Sequence, residues 1–207
     1  RLVTEPKRRH GQTSLSMPPI THRLPQIRYN QEKFNWLGQE DFYLSTARLD
    51  PLKRVDIVVK AFLDMPEKKL KVVSGGPDMP KIKKLAQGAK NIQVLGWADE
   101  KMLVELVGRC IATIYIPRDE DFGMAPIESM AAGKPVIGVA EGGLLETVVD
   151  GETGILIKAD PSPEDVIQAV PNMPPERSKD MRKACERRAK LFDKDVFVNR
   201  MREVFCG

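Results

Sequence analysis

The stretch DFYLSTARLDPLKRVDIVVKAFLDMPEKKLKVVSGGPD, residues 41–78, decides how the chain folds. It opens with a short apolar run, Phe42 to Thr46, of the length a buried strand needs. RVDIVVKAFLDM then places Val55, Val58, Val59, Phe62 and Met65 at helical spacing, so one face of a helix is apolar. LKVVSGG returns to a continuously apolar run that stops at Gly75-Gly76. Strand, helix and strand in close succession form the crossover unit that joins parallel strands.

The alternation continues downstream. MPKIKKLAQGA reads as helix and NIQVLG as strand; DEKMLVELVGRC reads as a helix with Asp99 as its N-cap. IATIYIP is a strand stopped by Pro117. A helix is expected from Pro126 to Ala132, closed by Gly133, and PVIGV is the next strand. GGLLETVVDG holds a short helix and TGILIK another strand, and from Pro163 the chain is helical with breaks near Pro171, Pro174-Pro175 and Asp193. Continuously apolar strands with helical crossovers imply a parallel sheet covered on both faces, a doubly wound, Rossmann-like α/β fold. Residues 1–40 differ. They carry Pro18-Pro19, Pro25 and the basic cluster Lys7, Arg8 and Arg9 without a period, and read as an irregular arm or linker. The expected division is an arm over 1–40, a domain over 41–192 and a C-terminal helix over 193–207.

Bulk properties narrow the function. With 207 residues, 42% hydrophobic and 30% charged, the chain has room for a domain-sized core. A net charge of +4 suits an anionic ligand, but the basic residues lack the interleaved aromatics of a nucleic-acid binder. Cys110, Cys185 and Cys206 form no CxxC or Cys/His cluster, so neither a zinc site nor a disulfide framework is expected. Reduced thiols and the absence of a signal-peptide pattern or a membrane-length apolar run make a cytoplasmic setting the expectation. His10 and His22 lie in the arm, which argues against a nucleophilic triad.

In doubly wound sheets ligands sit beyond the carboxyl ends of the strands, here the segments after Thr46, Ser74, Gly96, Ile116 and Val139. Arg48 leaves the first strand and Lys53 opens the following helix, two cations suited to a diphosphate. Cations at a helix start oppose the macrodipole, which favours a role in binding over one in stability. SGGPD lacks both the Lys-Ser/Thr of a P-loop and the spacing of a dinucleotide fingerprint, but Gly75 and Gly76 let a ligand approach the backbone. In EDFGMAPIESMAAGKPV, residues 120–136, Gly123 frees the chain before a helix whose early amides, from Phe122 to Ala125, make an anion site. Glu128 lies one turn inside the helix, able to accept bonds from hydroxyls, and Glu120 lies in the loop before it. A molecule with a polyol at each end and a diphosphate between them satisfies this set: a sugar nucleotide.

RLDPLKRVDIVVKAF, SGGPD, NIQVLGWADEKMLVEL and EDFGMAPIESMAAGKPVIGVAEGGLLETVVDGETGILI together resemble the donor-binding half of family 4 (group 1) retaining glycosyltransferases of GT-B fold. The ARLDPLKRVD spelling and the EDFG start are most like GDP-mannose-dependent mannosyltransferases of surface polysaccharide synthesis. The resemblance implies that Glu120 contacts donor-sugar hydroxyls and Glu128 the ribose. Arg48 and Lys53 would hold the diphosphate, helped by the amides of Phe122, Gly123 and Met124, with Asp121 and Ala125 alongside. The base is expected near Leu95, Gly96 and Trp97. Where relatives often carry GDGP, this chain has Ser74-Gly75-Gly76-Pro77, so that loop's acid has no counterpart.

The resemblance further implies GDP-mannose as donor, no cofactor and no metal. Asp119-Glu120-Asp121 could instead be spelled as a DxD metal site, but protein cations at Arg48 and Lys53 make a metal unnecessary. The acceptor would be a glycan or a lipid-linked sugar, bound on an N-terminal lobe or partner subunit that residues 1–40 are too short to form. A sugar-nucleotide-binding module without catalysis is the alternative. ERSKDMRKACERRAKLF, residues 176–192, reads as a basic helix with a solvated face, and peripheral membrane contact is the other reading. Cys110 reads as a small buried hydrophobe.

Overall fold

A computed structural model of the protein describes residues 33–206, so the basic cluster and both histidines lie outside the described residues. The chain runs β1 (Tyr43–Ser45), α1 (Val55–Leu63), β2 (Leu70–Val73), α2 (Met79–Leu85), β3 (Ile92–Gly96), α3 (Glu100–Arg109), β4 (Thr113–Tyr115) and α4 (Met124–Ala131). It continues through β5 (Val136–Val139), α5 (Leu144–Thr147), β6 (Gly154–Ile157), α6 (Pro163–Ala169), α7 (Pro175–Lys190) and α8 (Lys194–Cys206). All six strands are parallel and stand in the order β3-β2-β1-β4-β5-β6. The chain therefore winds outward from β1, then returns to β1's other side at β4. This is the expected doubly wound, Rossmann-like sheet, with its reversal of direction between β1 and β4.

Side-chain alternation along β1 feeds both faces of the sheet. The Tyr43 ring meets Phe62 of α1 edge-on at 5.7 Å, and its hydroxyl donates to the carbonyls of Met173 and Val170 at 2.8 and 3.2 Å. Leu44 joins Phe34, Val107 and Cys110 on the opposite side. Helix α1 buries Val55, Val58, Val59 and Phe62, the face its periodicity marks, and packs on α2 and α6. Helix α4 packs chiefly on α7, which turns Ser178, Met181, Cys185 and Ala189 inward and leaves most of its basic residues outside. Asp99 caps α3 by accepting from the Met102 amide at 2.8 Å.

Two details differ from the sequence reading. Helix α4 begins at Met124 rather than Pro126, because Gly123 takes φ +80° and turns the chain earlier; Pro126 is still within the first turn, where its missing N–H costs nothing. Residues 33–40, assigned above to the arm, pack on the domain. The Leu37 and Glu40 amides donate to the carbonyls of Gly108 and Arg109 at 3.0 and 2.7 Å. Lys134, fully buried, sets its ammonium 3.3 Å from the Trp36 ring centroid and donates to the Gly38 carbonyl at 2.5 Å. Burial pulls this ammonium down to about 8. A cavity of about 420 Å³ opens here between Trp36, Arg182 and Glu186, beside the entry to β5 and therefore at the end of the sheet opposite the carboxyl ends of the strands.

Strand β6 approaches β5 so closely that a Cβ on Gly154 would stand 2.1 Å from the Val136 carbonyl oxygen. Gly154→Ala is expected to push the two strands apart and to cost about 1–3 kcal/mol. Urea unfolding measures this as a lower midpoint at an unchanged slope.

Candidate functional site

Backbone hydrogen bonds sew together the loops that follow β1, β4 and β5. The Arg118 amide donates to Leu52 at 2.7 Å, and the Gly143 amide donates to Glu120 at 2.7 Å. Gly142, at φ +56°, lies where a Cβ would strike the Glu120 carbonyl at 2.4 Å, so only glycine allows this contact. On the other flank, the Leu49 amide donates to Gly75 at 3.0 Å and the Asp78 amide to Leu49 at 2.9 Å. The SGGPD turn is thus laid directly against the ARLD loop.

Within this frame Asp50 caps a short 3-10 turn, Pro51–Lys53, accepting from the amides of Leu52 and Lys53 at 3.0 and 3.2 Å. The turn carries Lys53 across the β1–β4 boundary. Its ammonium bonds Glu120 Oε2 at 2.7 Å, and the Tyr115 hydroxyl donates to the same oxygen at 2.5 Å. The Gly123 amide also donates to this carboxylate. Burial raises the Glu120 carboxyl, yet the bonds from Lys53, Tyr115 and Gly123 together hold it below its ordinary value. It is an anion at neutral pH.

Glu128 is the opposite case. Its carboxyl has no hydrogen-bond partner among the described residues, and burial alone pushes it up to about 7. Tyr115 bonds Glu120 and also feels the charge of Glu128. Burial raises its hydroxyl first, and Glu120, Asp50 and Glu128 raise it further, so it stays a neutral donor. The field of both carboxylates at one phenol shows that they converge on the end of β4.

The remaining expected residues fall in two groups. Arg48 stands 68% exposed, its guanidinium 3.9 Å from Asp50. Trp97, 77% exposed, lays its indole over the Gly75 backbone, where a Cβ would meet Nε1 at 2.0 Å. Leu95, Gly96 and Trp97 are thereby brought beside Gly75 and Gly76. Phe122 is half-exposed and meets Phe192 edge-on at 5.8 Å. Asp121 is exposed, Met124 partly so, and Ala125 packs on the core. The Gly123 amide, expected to be free for a ligand, is already turned to Glu120.

Sequence reading missed Tyr115 and Arg54. Tyr115 is spelled as an ordinary strand residue, and only the topology reveals that the last position of β4 faces the Glu120 loop. Arg54 sits beside Lys53 and reads as another surface cation, yet it is 5% exposed. Among the described residues no group of three or more His, Cys, Asp or Glu stands together as a metal cluster.

Residues 26–192 match the family model described as Glycosyl transferases group 1. An uncharacterised glycosyltransferase of Methanocaldococcus jannaschii is 29% identical over 171 residues, 82% of this chain and 46% of that protein. The alpha-1,3/1,6-mannosyltransferase ALG2 of Dictyostelium discoideum is 59% identical over 51 residues, 25% of this chain and 12% of that protein. Among solved structures, sucrose-phosphate synthase from Thermosynechococcus elongatus superposes with a TM-score of 0.75 at 24% identity, over 85% of this chain and 50% of that one. An Anabaena protein crystallised with UDP and glucose gives 0.68 at 19% identity, over 79% and 47%. The chain spans less than half the length of these curated relatives.

The raised Glu128 carboxyl has a consequence for stability. The folded chain holds this proton up to about pH 7, while the unfolded chain loses it near 4.5. The contribution of Glu128 to stability therefore falls as pH rises from 4.5 to 7 and stays unfavourable above that. Glu128→Gln is expected to stabilise the chain at pH 8 by on the order of 1–2 kcal/mol. The gain should vanish near pH 4.5, as thermal melts at the two pH values would record.

Proposed function

The chain belongs to the group 1 glycosyltransferases, and on that premise we propose that it binds a sugar nucleotide and supplies the donor half of a retaining hexosyl transfer. The observation that carries this reading is the convergence of Lys53, Glu120 and Glu128 on the β1–β4 boundary. The donor diphosphate lies along this boundary, between Lys53 and Arg48 on one side and the start of α4 on the other. Glu128 accepts the ribose hydroxyls, Glu120 the hydroxyls of the sugar, and the base rests by Leu95 and Trp97.

As the bond from the anomeric carbon to the diphosphate lengthens, negative charge grows on the leaving phosphate and the sugar becomes oxocarbenium-like. Lys53, Arg48 and the amide-rich start of α4 are fixed positive ends that need no rearrangement to meet that charge. Losing one such donor typically costs about 10²–10³ in rate. A divalent metal is not needed in this scheme. Of the acidic trio that could spell a DxD site, Glu120 is held by Lys53.

The likeness to alpha-1,3/1,6-mannosyltransferases, together with the ARLDPLKRVD and EDFG spellings, supports mannose as the sugar and GDP-mannose as the donor. The acceptor is a glycan or a lipid-linked sugar carried on an N-terminal lobe or a partner subunit. A donor-binding module without catalysis, or one subunit of a split enzyme, is the second reading. In either case the isolated chain binds donor with little or no transfer.

Calorimetric titration with GDP-, UDP- and ADP-sugars, with and without EDTA, tests the proposal. GDP-mannose is expected to bind in EDTA, and Lys53→Ala to weaken every nucleotide at least tenfold. Glu128→Ala should weaken nucleotide binding whichever sugar is attached, while Glu120→Ala mainly erodes the preference among sugars. Binding restored only by Mn²⁺ or Mg²⁺, or unchanged affinity in Glu128→Ala, would overturn these assignments. The exposed indole of Trp97 offers a second measure: nucleotide should quench fluorescence in the wild type and fail to do so in Trp97→Phe, where only Trp36 remains.

A further inference from the structure

Arg54 breaks several local rules at once. It holds the left-handed conformation at φ +51°, which is unfavourable for any residue with a Cβ. It is 5% exposed, and its Nε and Nη1 are buried without hydrogen-bond partners. A glycine would avoid all three penalties. Its one close side-chain partner among the described residues is Glu141, whose Oε1 lies 3.0 Å from Nη2. Strain and unsatisfied groups of this kind persist where the surroundings use them.

The use is visible in what Glu141 is attached to. It opens the turn after β5, and two residues on the Gly143 amide holds the Glu120 carbonyl at 2.7 Å. Gly142 presses on that same carbonyl, and Gly143 stands close against the backbone of Asp121 and Phe122. A second thread runs through Asp160, 3.9 Å from Arg54 and 2.7 Å from Arg118, which begins the Glu120 loop. Arg118 in turn donates its amide to Leu52, two residues before Arg54. Consecutive residues thus divide the work: Lys53 holds the Glu120 carboxylate, and Arg54 holds the two segments between which the Glu120 loop is clamped.

We propose that Arg54 is a positioning residue for the donor pocket, its ion pair with Glu141 fixing the turn that sets the Glu120 loop against Lys53. Arg54 acts through Glu141 and Gly143, not through contact with the ligand. The inference rests on the donor-binding reading above.

The test compares Arg54→Gly, Arg54→Lys, Glu141→Gln and the double variant Arg54→Gly/Glu141→Gln in the 207-residue chain. Glycine suits the left-handed backbone, so loss of the side chain is separated from loss of the fold. Arg54→Gly and Glu141→Gln should each weaken GDP-mannose at least tenfold. The double variant should be no weaker than the worse single one, because both remove the same link. Arg54→Lys should recover part of the affinity. Hydrogen exchange should quicken at the Gly143 amide and leave the amides of β1 and β2 protected. Wild-type affinity and Gly143 protection in both single variants would overturn the proposal. So would faster exchange throughout the sheet in both, which would make the pair a general stabiliser. Failure of the wild-type chain to bind any sugar nucleotide would instead defeat the donor-binding reading, and the Gly143 exchange result would still decide whether Arg54 positions the loop.

Discussion

Everything at the candidate site depends on the reversal of winding between β1 and β4. Two parallel strands that are neighbours in space but distant in sequence send their following loops away in different directions, and a crevice opens between them. Only one register pair, Leu44 with Thr113, joins the strands. The crevice is closed from above by Lys53 and Glu120, one from each loop, at 2.7 Å. The pair is side-chain chemistry placed by backbone topology: Asp50 shapes the turn under Lys53, and Gly142 and Gly143 brace the loop under Glu120.

Around this crevice the chain accepts several local costs together. Glu128 is a half-buried carboxyl with no hydrogen-bond partner among the described residues, and Arg54 is strained and half-satisfied. The sheet below them is built of interlocked Val, Ile, Leu and Phe, where each buried apolar side chain contributes about 1.5–3 kcal/mol. A core of that kind can tolerate a few unfavourable polar groups at its rim. Perturbed and unsatisfied groups beside one another at strand ends are the pattern expected of a ligand site.

The fold was legible because its signals are local. Val55, Val58, Val59 and Phe62 announce a helix face, and Gly133 announces its neighbour's end, without reference to the rest of the chain. Strand order is not local, yet the rule that ligands sit beyond strand ends selected, without it, loops that the structure does bring together. Legibility failed where a role depends on which strand lies beside which. Tyr115 is indistinguishable from any strand aromatic until β4 is placed beside β1. Arg54 is spelled as a surface cation, and only burial with Glu141 separates it from Lys53. Trp36 and Lys134 were missed for the same reason, since their contact spans nearly a hundred residues. Arg48 shows another limit: its place after β1 can be read from the sequence, but its 68% exposure and its nearness to Asp50 cannot.

On the donor-binding proposal, the occupants of the crevice explain how the free protein would stay stable with an anion site between its loops. Lys53, the Tyr115 hydroxyl and the Gly123 amide would form a cluster of donors with no acceptor if Glu120 were absent, and an unsatisfied buried donor is costly. Glu120 supplies the missing negative charge. A diphosphate approaching Lys53 therefore meets a competitor already in place, and must offer more than one carboxylate can. On the donor-binding proposal, two phosphates bonded to both Lys53 and Arg48 would meet that requirement, because Glu120 is paired with Lys53 and Arg48 lies by Asp50. Displaced from Lys53, the Glu120 carboxylate would keep its bonds from Tyr115 and Gly123 and regain accepting capacity for a sugar hydroxyl. On that proposal, selectivity for a sugar-bearing diphosphate over a bare anion would follow from this exchange: only the former gives Glu120 new donors in return for the one it loses.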